Sequence, residues 1–292
     1  MKPLDIIERE DGRKLIHFSK ETLVSIKNYL KKDSEGRTII SLNNFASGNF
    51  NSKFREAHLD YLIGLEIVNL MIFSSYKNID GLYTLKELKE LDAGGLDQAL
   101  NFEYFEKLEK LEYYYKPKTQ HLFDRPLLSN LRLNKYHTAH LHLEEMASLK
   151  NLKELFIAFT NIKSLKGLQN LKKLTSLTLA YAPNLVIKQT ENFKSLKNVE
   201  ELRIVKCKNV TMDFVKVFPN LKKLRIENWG KMDTIKPILD NLPKLEYLFI
   251  GSGSVINEID NRYFANYKSI KKFFFEQRRY HMLKLNDLGK WP

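Results

Sequence analysis

The densest group of side chains able to bind a metal or move a proton is His137, His140 and His142, followed at once by Glu144 and Glu145. His140 and His142 are two apart, so on an extended segment both rings project from one side, as part of a zinc-type donor set would. Leu141 and Leu143 alternate with them, and the plainer expectation is an ordinary alternating segment with its polar residues outward and no metal. Cys207 is the single thiol. A nucleophile needs a histidine or basic cluster fixed beside the sulfur, and the sequence fixes none there, so a buried structural residue is expected. Gly251-Ser252-Gly253 lacks the further glycine and the lysine of a phosphate-cradling loop. Glu144 and Glu145 are adjacent and cannot face each other across a cleft. Asn209-Val210-Thr211 fits a glycosylation acceptor, which has meaning only on a secretory route. No enzyme site, cofactor or metal centre is expected from these residues.

The composition limits the setting. Of 292 residues, 43 % are hydrophobic, enough for a continuous core. One cysteine excludes an intramolecular disulfide framework and fits a reducing compartment. The start, Met1 to Asp11, has no apolar run behind a basic residue, and no uncharged apolar stretch of about eighteen residues occurs. A cytoplasmic monomer with no membrane span is expected. The net charge of +13 is uneven: residues 151–292 hold 26 basic and 13 acidic side chains, while residues 1–60 hold 11 and 9 and residues 61–150 hold 11 and 13. That excess suggests an acidic partner for the C-terminal half. The alternative is that lysines in segments such as LKGLQNLKKL only solubilise the outside.

The elements that must position these side chains are written in leucine. Leu155, Ile157 and Ile162 recur about twenty-two residues later as Leu177, Leu179 and Leu185, with leucines at 165, 168, 171 and 174 between them. The chain therefore reads as a stack of repeats. Its second core position falls at Leu70, Leu91, Leu111, Leu131, Leu155, Leu177, Leu202, Leu224, Leu248 and Phe273, at intervals of 20 to 25 residues. A further core position follows each two residues on, from Ile72 to Phe275. Parallel strands stacked at this period place those residues inward.

Residues 1–66 do not follow the repeat and are expected to cap it, because an open end would expose core and unpaired strand edge. Ile6-Ile7, Asp11-Gly12 and Leu15-Ile16 predict a hairpin. A helix is predicted from a Ser19 cap to about Lys32, a strand from Arg37 to Leu42, and a second helix from Phe54 to about Leu65. Ile40 and Leu42 are candidates for one further strand. Short helices are expected at Thr211 to Phe214 and Thr234 to Ile238, ended by Pro219 and Pro243. Residues 67–276 form the repeats. Residues 277–292 are expected to fold back as a second cap through Met282, Leu285, Leu288 and Trp291, with Arg278, Arg279 and Lys284 as a basic rim.

On these motifs the chain resembles a leucine-rich-repeat protein, and residues 152–174 are similar to the bacterial internalin-type repeat. The resemblance implies a right-handed α/β solenoid, a horseshoe with a concave parallel sheet of ten to eleven strands and a mixed convex side. It also implies a non-catalytic protein that captures a protein partner. Bacterial repeat proteins with ligase activity carry a separate catalytic domain, and none is expected here. In the family a polar residue five past the second core position binds the turn backbone. Here Thr160 and Cys207 fit, but Ala182, Trp229, Gly253 and Arg278 do not, so the turns are expected to be held differently from repeat to repeat.

Register then selects the open face. Just after the second core position the residues are Met71, Asp92, Glu112, Arg132, Phe156, Thr178, Arg203, Arg225, Phe249 and Phe274; Tyr114 and Tyr247 join them from the flanking columns. Exposed aromatics and arginines dominate interface hot spots. Tyr114, Arg132, Phe156, Arg203, Arg225, Tyr247, Phe249 and Phe274 are therefore the expected contacts with an acidic protein, in the manner of a single-target inhibitor or toxin-neutralising protein. Large side chains covering a sheet for packing alone would give the same columns. The alternative function is binding nucleic acid or another polyanion through the basic C-terminal half.

Overall fold

The computed structural model describes residues 3–18, 20–42, 59–191, 193, 195–258, 267–277 and 281–284. The chain divides into two compact units, residues 1–133 and 134–292.

In the first unit, β1 (Ile6–Glu8) and β2 (Lys14–His17) form the predicted antiparallel hairpin, with Ile6 opposite Ile16 and Gly12 at a φ of 76° in the turn. A positive φ is what glycine tolerates without a Cβ clash. α1 (Leu23–Leu30) leads on to β3 (Thr38–Leu42). β2 also runs parallel to β3, Ile16 beside Ile40, so the hairpin supplies a layer of the stack. β3 pairs with β4 (Asn69–Ile72), Ile40 beside Leu70 and Leu42 beside Ile72, which makes the suggested further strand real. β5 (Glu90–Ala93) and β6 (Lys110–Tyr114) continue with Leu70, Leu91 and Leu111 aligned, and β7 (Asn130–Asn134) follows.

Two expectations in this unit need correcting. The helix begins at Leu23, after a 3-10 turn at Lys20–Thr22, and Thr22 at its start makes no side-chain cap; Ser19 lies outside the described residues. The second helix, from Phe54 to Leu65, is partly outside them too. Its described part is a single 3-10 turn, Asp60–Leu62, and Gly64 at φ 77° turns the chain away.

In the second unit, β8 (Glu154–Ala158), β9 (Ser176–Ala180), β10 (Glu201–Val205) and β11 (Lys223–Glu227) run parallel. Next come β12 (Gly230–Thr234), β13 (Tyr247–Ile250), β14 (Ser254–Glu258) and β15 (Lys272–Gln277). β13 and β15 continue the sheet, and β16 (His281–Lys284) closes it antiparallel to β15. Leu155, Leu177, Leu202, Leu224, Leu248 and Phe273 stand side by side, all buried. Burying each such side chain contributes roughly 1.5–3 kcal/mol, so the register is strongly specified. The fold-back of residues 277–292 is described only at β16; Arg278, Arg279, Leu285, Leu288 and Trp291 lie outside the described residues, as do the side chains of Met282 and Lys284.

Return segments are single 3-10 turns in the short repeats, as at Glu144–Ser148 and Leu168–Asn170. The longer ones carry the predicted helices, α2 (Phe214–Val217) and α3 (Lys236–Asn241), with Pro219 and Pro243 immediately after their C-caps, Phe218 and Leu242. The turns are indeed held by different means. The Thr160 hydroxyl donates to the Tyr136 carbonyl at 2.6 Å, while the Cys207 sulfur lies 3.6 Å from the Leu179 carbonyl. Where Trp229 and Gly253 replace the polar residue, β12 and β14 pair in a separate parallel sheet of two strands that sequence reading missed, and the Trp229 amide donates to the Ser254 hydroxyl at 3.1 Å.

Candidate functional site

Because side chains alternate along a strand, the residue between two core positions faces away from the core. In the second unit this column reads Phe156, Thr178, Arg203, Arg225, Phe249 and Phe274, in register from β8 to β15. The Arg225 guanidinium lies over the Phe249 ring, 4.6 Å from its centroid. Phe249 in turn lies over Gly251, where a Cβ would come within 2.4 Å of the ring, so only glycine leaves room for it. Arg203 meets Glu227 at 2.9 Å, and Arg225 approaches the same carboxylate oxygen at 3.7 Å. Two guanidinium groups thus share one carboxylate, leaving net positive charge beside an aromatic ring. Tyr247 and Phe274 pair at 5.7 Å with a 44° tilt. Thr178, Glu201, Arg203, Arg225 and Tyr247 line a shallow depression on this face.

Of the expected contacts, Arg203, Arg225 and Phe249 form one cluster and Tyr247 with Phe274 another. Phe156 differs. It packs on Ala158, Ala180 and Val205, which are 1 %, 5 % and 7 % exposed, so part of its bulk covers the sheet. Tyr114 and Arg132 belong to the first unit. Arg132 bonds Glu112 at 3.0 Å, and the Tyr114 ring lies over Gly94. Nearby, Glu90 meets Arg13 at 2.7 Å and Lys110 at 3.7 Å. Burial pushes the Asp92 carboxyl above the ordinary aspartate value, and the hydrogen bond from the Gly94 amide opposes that.

The histidine segment does not alternate as expected. Leu141 adopts a φ of 57°, a left-handed turn in place of an extended run. His140 and His142 do share a side, their rings stacked 5.6 Å apart, but Glu144 beside them is engaged by Lys166 at 2.9 Å. Among the described residues no three metal-ligating side chains gather. Cys207 is buried, and burial pushes its thiol up, away from the thiolate a nucleophile needs. Part of the lysine excess is paired between neighbouring repeats: Lys222 with Glu200 at 2.9 Å, Lys223 with Glu201 at 2.5 Å and Lys271 with Glu246 at 2.8 Å. Exposed pairs of this kind are worth about 0–1 kcal/mol each. Among the described residues no helix is long and apolar enough to cross a membrane.

Sequence reading missed one exposed set. Two residues past the last core position of β7 to β11, Lys135, Phe159, Tyr181, Lys206 and Asn228 all adopt a left-handed φ of 51° to 57°. The repeat period places them in one column, but glycine, the usual signal of such a backbone, is absent from it.

No protein-family model matches the sequence, and no curated protein matches it either. Similarity appears among solved structures. Internalin InlF of Listeria monocytogenes shares 15 % identity at a TM-score of 0.51, over 88 % of this chain and 89 % of its own. The functional domain of InlJ from Listeria monocytogenes shares 16 % identity at a TM-score of 0.49, over 74 % of this chain; this chain spans 45 % of that one. The InlF likeness bears on fold alone, and it agrees with the strand register derived above. The chain has a leucine-rich-repeat fold.

Proposed function

We propose that the chain is a non-catalytic binding protein that captures a protein partner on the open face of β8 to β15. Solenoids of this class use extended sheet faces for binding. The observation that carries the reading is the Arg203–Arg225–Phe249 cluster, where two cations share Glu227 and one of them lies on an aromatic ring. Arginine and aromatic side chains held in this way are hot-spot material, and the residual charge favours a partner with an acidic surface. Phe156, Tyr247 and Phe274 extend the contact in this unit. Tyr114 and Arg132 are proposed contacts on the face of residues 1–133. Residues 1–66 and 277–292 are assigned as caps, and the bacterial cytoplasm, acting on a single target, is the proposed setting for a chain with one buried thiol.

The test is capture from native cells followed by affinity measurement on the recovered partner. Replacing Arg203, Arg225 and Phe249 together by alanine is expected to weaken binding by at least tenfold, about 1.4 kcal/mol, with the melting temperature little changed. Unchanged affinity would remove the open face from the reading. A partner that proves to be nucleic acid, with affinity falling steeply as salt rises, would replace it.

A further inference from the structure

The left-handed column is the least economical part of the molecule. Backbone hydrogen bonds lock it: the Phe159 amide donates to the Ala180 carbonyl at 3.0 Å, the Tyr181 amide to Val205 at 2.8 Å, and the Lys206 amide to Glu227 at 2.9 Å. Any residue at these corners must adopt a positive φ, which asparagine and glycine do easily and bulky aromatic residues do not. Asn228 obeys that preference; Phe159 and Tyr181 defy it while 46 % and 38 % exposed. Aromatic rings placed on the surface against the preference of the backbone point to a use for the rings.

Their arrangement narrows that use. The two rings stack face to face, 4.4 Å apart and 13° from parallel, and the Lys206 ammonium lies over Tyr181 at 5.4 Å. Three of the four ring faces are therefore covered, leaving at most one on which a nucleobase could stack. What the pair offers outward is ring edges and the Tyr181 hydroxyl. Ring edges carry the positive side of the aromatic quadrupole and suit carboxylates, as does a phenol that donates a hydrogen bond. Lysines stand at both ends of the pair in the column, Lys135 and Lys206, and the column holds no acidic residue.

We propose that Lys135, Phe159, Tyr181 and Lys206 form a second docking surface, separate from the open face, for an extended acidic peptide segment of a protein. Three strand steps of about 4.8 Å separate the two lysines, a span that four or five extended residues cover.

The test uses the full chain with fluorescein-labelled hexaglutamate as probe and labelled hexathymidylate as the competing chemistry. The unaltered protein is expected to bind hexaglutamate saturably and more tightly than hexathymidylate. The double variant Phe159→Asn with Tyr181→Asn is expected to bind hexaglutamate at least about tenfold more weakly. Its melting temperature should be equal or higher, because asparagine suits the left-handed backbone. In an Arg203→Ala with Arg225→Ala background, which removes the open face as a competing site for acidic chains, saturable hexaglutamate binding is expected to remain and to be lost on adding Phe159→Asn with Tyr181→Asn, which separates this surface from the open face. Absence of saturable binding, unchanged affinity in the asparagine variant, or a lower melting temperature there would each overturn the proposal. Tighter binding of hexathymidylate, or loss of hexaglutamate binding in the arginine variant, would do the same.

Discussion

In residues 1–133 the position after the second core residue carries Met71, Asp92, Glu112 and Arg132; in residues 134–292 the same position carries Phe156, Thr178, Arg203, Arg225, Phe249 and Phe274. The backbone geometry is shared, and the outcome is not. In the first unit charge closes on charge: Glu112 meets Arg132, and Glu90 meets both Arg13 and Lys110. In the second, Arg203 and Arg225 lean on one carboxylate, and Arg225 uses an aromatic face for the rest of its support. Core and face are thus separable: inward residues decide that a layer forms, and the residues between them decide what that layer presents.

The largest effects should come from the part the two units share. Leu111→Ala and Leu202→Ala each remove a fully packed core side chain, at 2 % exposure in both cases, and each is expected to cost about 2–5 kcal/mol. Local opening followed by hydrogen exchange in the strands around each site should show similar losses. A much smaller loss at Leu111 would mean that the first unit is not packed as the second is. A smaller effect separates face from core within the second unit. Gly251→Ala places a Cβ against the Phe249 ring, which must swing aside and leave Arg225 without its support. Partner affinity should fall several-fold, and aromatic ring resonances of Phe249 should shift; unchanged resonances would show that the ring was never confined there. The smallest effect concerns pH. Asp92 holds its proton more tightly when folded than its ordinary value of 3.8 implies, because burial penalises its charged form. The folded chain therefore binds more protons than the unfolded one just above that value, and stability declines as pH rises through the window. Asp92→Asn should match the parent below about pH 3.8, exceed it slightly above, and flatten that slope; a variant less stable at neutral pH would show that the carboxylate is held by its neighbours after all.

Most of the stack was legible because a core position has no choice: each layer must bury the same two places, so ten recurrences from Leu70 to Phe273 announce ten strands. The N-terminal hairpin was legible as a hairpin through Asp11-Gly12, but its second strand offers only Ile16 as a fully buried residue, too little to betray that it joins the parallel sheet. The pairing of β12 with β14 left no trace, since Gly230 to Thr234 reads Gly-Lys-Met-Asp-Thr and buries Met232 alone. On the face, register predicted which side chains point outward. It could not predict that Phe156 would settle on Ala158, Ala180 and Val205, because the last two are twenty-four and forty-nine residues away in the chain. The left-handed corners were invisible for a different reason: their φ is imposed by cross-strand hydrogen bonds, and four of the five residues there carry none of the local chemistry that favours it.

Cys207, 3 % exposed at the turn after β10, has a further consequence. It is the single sulfhydryl in the chain, so an alkylating reagent has one place to react. With the thiol held up in pKa and enclosed, reaction must wait for that corner to unlatch. The labelling rate under native conditions is therefore a clock for the breathing of one turn, readable without adding a probe. A ligand gripping the neighbouring layers would slow it.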